Sequence, residues 1–250
     1  DAESFFITDR ITHGNFTTTL GLRSEDVDYW QYNSDSTASN SETMIAASTV
    51  YNMGNGTSVF AALSQGYMPT GVSNIEPEDS DNYEIGYRVQ KPGSYMEIIG
   101  FHTDYDSLME TCGITDGCGD SSQNAKNAGE AHVTGIEFVY NVDNMFAAPS
   151  MKGADNVGSG VRYPLTVALT LQEAEHDVTT SSTIVDGARI AYTPEQIYYV
   201  SVGAETNDWS TQLSMKYNDD VYNKGVSTSD RTESATIFDF NANMALDNMG

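Results

Sequence analysis

Stretches of about ten residues in which apolar and polar side chains alternate run the length of this chain, separated by connections of two very different lengths. Leu165, Val167, Leu169 and Leu171 share one face, against Thr166, Ala168, Thr170 and Gln172 on the other. Trp209, Thr211, Leu213, Met215 and Tyr217 oppose Ser210, Gln212, Ser214 and Lys216 in the same way. Phe238, Phe240, Ala242, Met244 and Leu246 oppose Asp239, Asn241 and Asn243. Tyr83, Ile85, Tyr87 and Val89, and Phe16, Leu20 and Leu22, repeat the pattern. A period of two is that of a strand, whose successive side chains point to opposite faces. Eleven strands are predicted, beginning near Glu3, Phe16, Thr43, Thr57, Asn82, Tyr95, Glu130, Tyr163, Gln196, Trp209 and Thr236.

The short connections are His13-Gly14-Asn15, Asn55-Gly56, Lys91 to Ser94 and Thr206-Asn207-Asp208, all with hairpin-turn chemistry. The long ones are Asp26 to Glu42, Pro69 to Asp81, Ser107 to Gly129, Val178 to Glu195 and Asp219 to Ala235. Strands that go up and down in sequence place every short turn at one end of the sheet and every long loop at the other, as in outer-membrane barrels. The strands exceed the five or six residues usual in soluble proteins. Tyr67, Tyr83, Tyr95, Tyr105, Tyr140, Tyr163, Trp209 and Tyr217 sit at their ends, where an interfacial girdle takes amphipathic rings. The expected fold is therefore all-β, an antiparallel up-and-down meander of about eleven long strands. Val142 to Arg162 breaks the pattern, being long where a short turn is expected. An odd strand count also departs from the even numbers with which single-chain bacterial barrels close.

Composition sharpens this picture. No stretch of about 18 apolar residues exists, so no transmembrane helix is available, whereas a barrel strand spans a bilayer with only about 9 to 11 residues. Apolar residues make up 39% of the chain, Tyr numbers 15, and Asn, Ser, Thr, Asp and Gly supply much of the rest, a strand and turn vocabulary. A net charge of −25, with 11 Lys and Arg, argues against a nucleic-acid partner. In the long loops Asp and Glu outnumber Lys and Arg about fourfold. The same surface serves as a solvated acidic rim or as an environment for cations. Cys112 and Cys118, the two cysteines, lie in one polar loop. They suit a small disulfide-closed loop in an oxidising compartment, with two free thiols as the alternative. No catalytic or metal-site motif is present: there is no Gly-x-Ser-x-Gly elbow, no His-Glu-x-x-His and no phosphate-binding loop. His13, His102, His132 and His176 have no paired ligand spacing, and Asp116-Gly117-Cys118-Gly119-Asp120 resembles a calcium loop without the spacing of an EF-hand. No catalyst and no cofactor are expected.

Two stretches carry a family resemblance. The run Val59-Phe60-Ala61-Ala62-Leu63-Ser64-Gln65-Gly66-Tyr67-Met68-Pro69, with Ile75-Glu76-Pro77-Glu78 and Asn82-Tyr83-Glu84-Ile85-Gly86-Tyr87-Arg88 after it, resembles the TonB-dependent outer-membrane receptors. Phe101-His102-Thr103-Asp104-Tyr105-Asp106, then Asn127-Ala128-Gly129-Glu130 and Gly135-Ile136-Glu137, are similar to later elements of that family. Tyr192-Thr193-Pro194-Glu195 and Phe238-Asp239-Phe240-Asn241 follow in family order. The resemblance implies a 22-stranded barrel in the bacterial outer membrane, filled by an N-terminal plug. It also implies TonB-powered uptake of a ferric siderophore or another scarce nutrient, with the TonB complex and outer-membrane lipid as partners. The whole chain, residues 1–250, then reads as part of one barrel domain, without the plug and the closing strands.

On that reading Tyr29, Trp30 and Tyr32, on the first long loop, and Lys126 and Arg189, rare cations among acidic loops, are candidate ligand contacts. Arg23 and Arg88 are candidate lumen charges, with Glu25 and Glu84 as internal partners. The alternative is a secreted carbohydrate- or calcium-binding β-sandwich or adhesion module, with shorter strands and the Leu165 to Leu171 face buried against a second sheet.

Overall fold

A computed structural model describes residues 1–31, 36–71, 75–111, 125–127, 129–146, 160–179, 186–222 and 231–245. The alternating segments form β1 (Ala2–His13), β2 (Phe16–Gln31), β3 (Ser36–Gly54), β4 (Thr57–Met68), β5 (Glu78–Lys91) and β6 (Ser94–Asp106). A small ribbon follows, β7 (Met109–Thr111) with β8 (Ala125–Asn127), then β9 (Gly129–Val142), β10 (Leu165–Thr179), β11 (Gln196–Glu205) and β12 (Trp209–Asn218). A second ribbon, β13 (Val221–Tyr222) with β14 (Arg231–Thr232), precedes β15 (Ala235–Met244). Eleven of these make one antiparallel sheet in the order β1-β2-β3-β4-β5-β6-β9-β10-β11-β12-β15. The predicted meander of eleven long strands is the observed one.

The tight turns have a local cause. Asn55 (φ 52°) and Gly56 (φ 74°) both adopt the left-handed conformation that a two-residue hairpin turn needs. Gly56 is also held by its neighbour, since a Cβ there would lie 1.9 Å from the Gln90 carbonyl oxygen.

The first of the five long loops is not a loop. β2 and β3 pair without interruption to Gln31↔Ser36, so Asp26 to Glu42 is largely a hairpin arm. Apolar residues do not alternate regularly there, with Asp26, Asp28, Ser39, Asn40 and Ser41 among its residues, which hides the strand from a hydrophobic pattern while leaving the backbone ladder intact. β5 likewise starts at Glu78 rather than near Asn82. The connection after β9 lies at the short-turn end, since Val142 stands beside both Ser94 and Leu165. Its described ends are tied together: the Met145 amide donates to the Tyr163 carbonyl at 2.9 Å, and Phe146 meets Tyr163 edge-on at 5.1 Å.

The register assigns the faces. On the apolar side Tyr87, Ile98, Phe138, Leu169, Tyr198 and Tyr217 lie in one row across β5 to β12. This side is exposed: Ile85 is 68% accessible, Leu213 49% and Phe240 69%. Among the described residues only Ala131 and Ala174 form a buried apolar core, and no second sheet covers the Leu165 to Leu171 face. That rules out the sandwich, which requires a shared interior. Tyr83, Tyr140, Trp209 and Tyr217 occupy the outward face as a girdle would, but Tyr95 and Tyr105 share the opposite face with Glu97 and Phe101.

One register row does not stay at one height in the apolar band. At β2 the row passes Phe16, four residues on the turn side of Leu20 at the band's centre; at β12 it passes Tyr217, four residues on the loop side of Leu213. The band therefore shifts by about eight residues over the eight strand-to-strand steps between them, or about one residue per strand. With about 3.3 Å per residue and about 4.8 Å between strands, this is a strand tilt of about 35°, the value that closing a barrel demands. β1 and β15 end the sheet, each with one neighbour.

Candidate functional site

Two surfaces carry the candidate chemistry: the polar inner face and the rim where strands pass beyond the apolar band. On the inner face Arg23 of β2 pairs with Glu25, the partner expected from sequence. Arg88 of β5 pairs with Glu97 across the β5–β6 ladder rather than with Glu84. The Arg88 guanidinium also lies 5.0 Å from the centre of the Phe60 ring, which covers Gly86 so closely that a Cβ there would sit 2.2 Å from it. Phe101 covers Gly135 in the same way. The rings thus fill spaces left by glycines on the neighbouring strand, and Arg88 is held between an aromatic face and a carboxylate.

At the rim the sheet divides. β3 and β4 stop pairing at Ala46↔Ser64, while β2–β3 and β4–β5 continue as separate arms. Gln65 bridges the division, accepting from the Ile45 amide at 3.1 Å and donating to Asp81 at 3.0 Å. The hollow beside it, of about 200 Å³, is lined by Glu42, Asp79, Asp81 and Asp106 together with Met44 and Gly66. These groups lie beyond the band, which on β4 and β5 ends at Leu63 and Tyr83. Burial, then the charges of Glu42, Asp106 and Asp81, raise the Asp79 carboxyl above its ordinary value. Burial and the neighbouring Asp79 push the Tyr67 hydroxyl up to about 12. Both Tyr67 Oη and Asp79 Oδ1 are inaccessible and form no hydrogen bond among the described residues. Among the described residues no group of His, Cys, Asp and Glu has the geometry to hold a metal ion.

The sequence candidates are scattered rather than gathered. The Tyr29 ring packs on Gly71, where a Cβ would come within 3.3 Å. Trp30, one residue on, points to the opposite side and is 61% exposed. Lys126 lies in β8. Arg189 is bound to Glu195 at 2.8 Å and lies 4.9 Å from the centre of the Tyr222 ring, so it joins the β10–β11 loop to the β13–β14 ribbon. Tyr32, Cys112, Cys118 and the calcium-like Asp116 to Asp120 stretch fall outside the described residues. Sequence reasoning missed a pair on the outward rim: His102 and His132 rings are 5.9 Å apart, the first 2.9 Å from Asp104 and the second 2.7 Å from Asp177. Only the register of β6 against β9 brings them together, and 30 residues of separation conceal it.

A tilted antiparallel sheet with a lipid-suited outer face, a polar inner face and loops at one end defines this as part of the wall of a transmembrane β-barrel. The TonB dependent receptor-like, beta-barrel family model matches residues 1–248, and the chain belongs to that family, one of receptors rather than enzymes. No curated protein sequence matches the chain. Among solved structures it is similar to the ferric yersiniabactin uptake receptor FyuA from Yersinia pestis, with 17% identity and a TM-score of 0.68 over 97% of this chain and 38% of that one. It is also similar to the unliganded ferric citrate transporter FecA, with 16% identity and a TM-score of 0.73 over 96% of this chain and 37% of that one. The copper transporter OprC gives 12% identity and a TM-score of 0.73 over 99% of this chain and 39% of that one. The chain thus spans less than two-fifths of the length of these structures, and the likeness shows the fold.

Proposed function

We propose that this chain forms part of the barrel wall of a bacterial outer-membrane receptor that takes up a ferric siderophore or a similar scarce nutrient, powered by the TonB complex. The observation that carries this reading is the apolar band, which crosses the register rows at the tilt of a closed barrel while the face behind it stays polar. A soluble sheet has no reason to keep a level band on an exposed face. Family membership supports the uptake function, and the neighbours named for iron chelates and copper support a metal-bearing nutrient. Tyr29, Trp30 and Tyr32, with Lys126 and Arg189, are the proposed ligand contacts at the outer end. Arg23 and Arg88 serve as lumen charges, and Cys112 and Cys118 as a loop disulfide. Outer-membrane lipid is the partner of the apolar face, and nucleic acid is none.

The test is uptake of radiolabelled ferric siderophores by cells with the encoding gene intact or disrupted, with and without a proton-motive-force uncoupler. The reading expects at least one chelate whose uptake is lost on both disruption and uncoupling. Unchanged growth and uptake on every iron and copper source after disruption would overturn it.

A further inference from the structure

Just past the last β4–β5 pair, Met68↔Glu78, the two described ends of the connection are each held by an asparagine side chain. Asn40 of β3 donates from Nδ2 to the Thr70 carbonyl at 2.8 Å and accepts the Thr70 amide on Oδ1 at 3.3 Å. Asn127 of β8 accepts the Glu76 amide on Oδ1 at 2.8 Å and donates from Nδ2 to the Glu76 carbonyl at 2.8 Å and to the Ser107 carbonyl at 2.9 Å. In each case a side-chain amide pairs with one residue's N–H and C=O as a neighbouring strand would. The inner clip is sealed: Asn40 is 8% exposed and Thr70 6%, and Tyr29 packs on the adjoining Gly71. The outer clip is reinforced by Ser107 Oγ donating to Glu76 at 3.1 Å and by the Met109 amide donating to Glu78 at 3.0 Å.

We propose that Asn40 and Asn127 are positioning residues that turn the outer end of the β4–β5 ladder into a cross-brace, tying Thr70 to the β2–β3 arm and Glu76 to the β7–β8 ribbon, so that these described segments respond as one body. No backbone ladder joins β3 to β4 beyond Ala46↔Ser64, whereas the Met68↔Glu78 pair carries the path from Thr70 to Glu76. Without the Asn40 clip the side-chain amide of Gln65, nearer the band, bridges the division, but the arm beyond it is not tied to Thr70. With both clips, displacement of the arm that carries Tyr29 and Trp30 is transmitted through Thr70 and Glu76 to Ser107 and Asn127. This inference concerns the mechanics of the rim and holds whatever the ligand is.

The experiment is amide hydrogen exchange, read by mass spectrometry, on the full-length polypeptide folded in detergent micelles, with Asn40→Ala, Asn127→Ala and the double variant. A brace predicts that each single variant speeds exchange about tenfold at its own end and also measurably at the far end. Asn40→Ala should loosen Glu76 and residues 125–127, and Asn127→Ala should loosen Thr70 and Gly71. The double variant should then add little to either single one. Acceleration confined to the end that was cut, or absent, overturns the proposal. Protection of residues 57–63 and 83–91 checks that the barrel has formed. If Asn40→Ala fails that check, Asn40→Asp, which keeps the acceptor for the Thr70 amide and removes the donor to its carbonyl, is read in its place.

Discussion

Leu213 is the sharpest probe of where lipid sits. It points outward from β12, midway between Trp209 and Tyr217, and is 49% exposed. Eight residues of strand at about 3.4 Å each, tilted by about 35°, put those two rings about 22 Å apart along the barrel axis, close to the height of a lipid-facing band. Leu213 therefore lies near the bilayer midplane, flanked by Val202 and Phe240 on the adjacent strands. Leu213→Arg places a charge there, at an expected cost of about 2–4 kcal/mol. On a water-exposed surface the same change costs at most about 0.5 kcal/mol. Gln212→Arg, one residue away on the polar face, is the matched control; it loses one hydrogen bond to Ser201, worth about 1 kcal/mol. The assay is equilibrium folding of the full-length polypeptide into lipid vesicles against guanidinium, followed by tryptophan fluorescence. A Leu213→Arg cost no larger than that of Gln212→Arg would refute the assignment of faces.

Other consequences follow from single sites. Gly56→Ala should cost about 1–3 kcal/mol, because a left-handed turn position and the Gln90 carbonyl both resist a Cβ; Gly14→Ala, also left-handed but facing open space, should cost less in the same vesicle titration. Arg88→Ala should lose about 1–2 kcal/mol through Glu97 and the Phe60 ring, and Arg88→Lys should recover less than half of it, since an ammonium does not reproduce a planar guanidinium stacked on a ring. Asp79 has a raised folded-state value, so the folded protein holds its proton more tightly than the unfolded chain and stability falls as pH rises past 3.8 toward that value. Asp79→Asn should therefore stabilise the protein at neutral pH and not below pH 3.8, and an equal gain at both would count against burial as the cause.

The elements most legible in the sequence were those whose side chains meet two different solvents. β10, β12 and β15 alternate cleanly because one face must be apolar and the other polar, and their starts fall within two residues of the expected ones. β3 begins seven residues before the expected start, at Ser36 rather than Thr43, because beyond the band its side chains are mostly polar on either face. There the strand persists through backbone pairing with β2, which leaves no mark on side-chain polarity. The same absence of contrast makes Asp26 to Glu42 read as a loop, and it places the boundary of the membrane rather than the boundary of the strand. The side of the long connection after Val142 was not decided by composition either; the β6–β9–β10 register decides it.

The candidate site was less legible because its contacts run across strands. Arg23 and Glu25 are two residues apart on one face, so their pairing could be read directly. Sequence proximity points to Glu84 as the partner of Arg88, yet Glu97 stands directly opposite Arg88 in the hairpin, and the closer cross-strand position prevails. Asn40 carries no sequence signal, since asparagine is common in polar loops, and Asn127 stands out only as part of the Asn127-Ala128-Gly129-Glu130 stretch, which does not reveal its bonds to Glu76. Their importance comes from what the sheet does at Ala46↔Ser64, where parting strands leave backbone groups to be satisfied by something other than a strand. A side-chain amide is the residue chemistry closest to a peptide bond, carrying one carbonyl and one N–H donor group side by side. Where two arms of a sheet separate and must still move together, an asparagine facing a backbone residue is thus a physical signature to look for in place of a ladder.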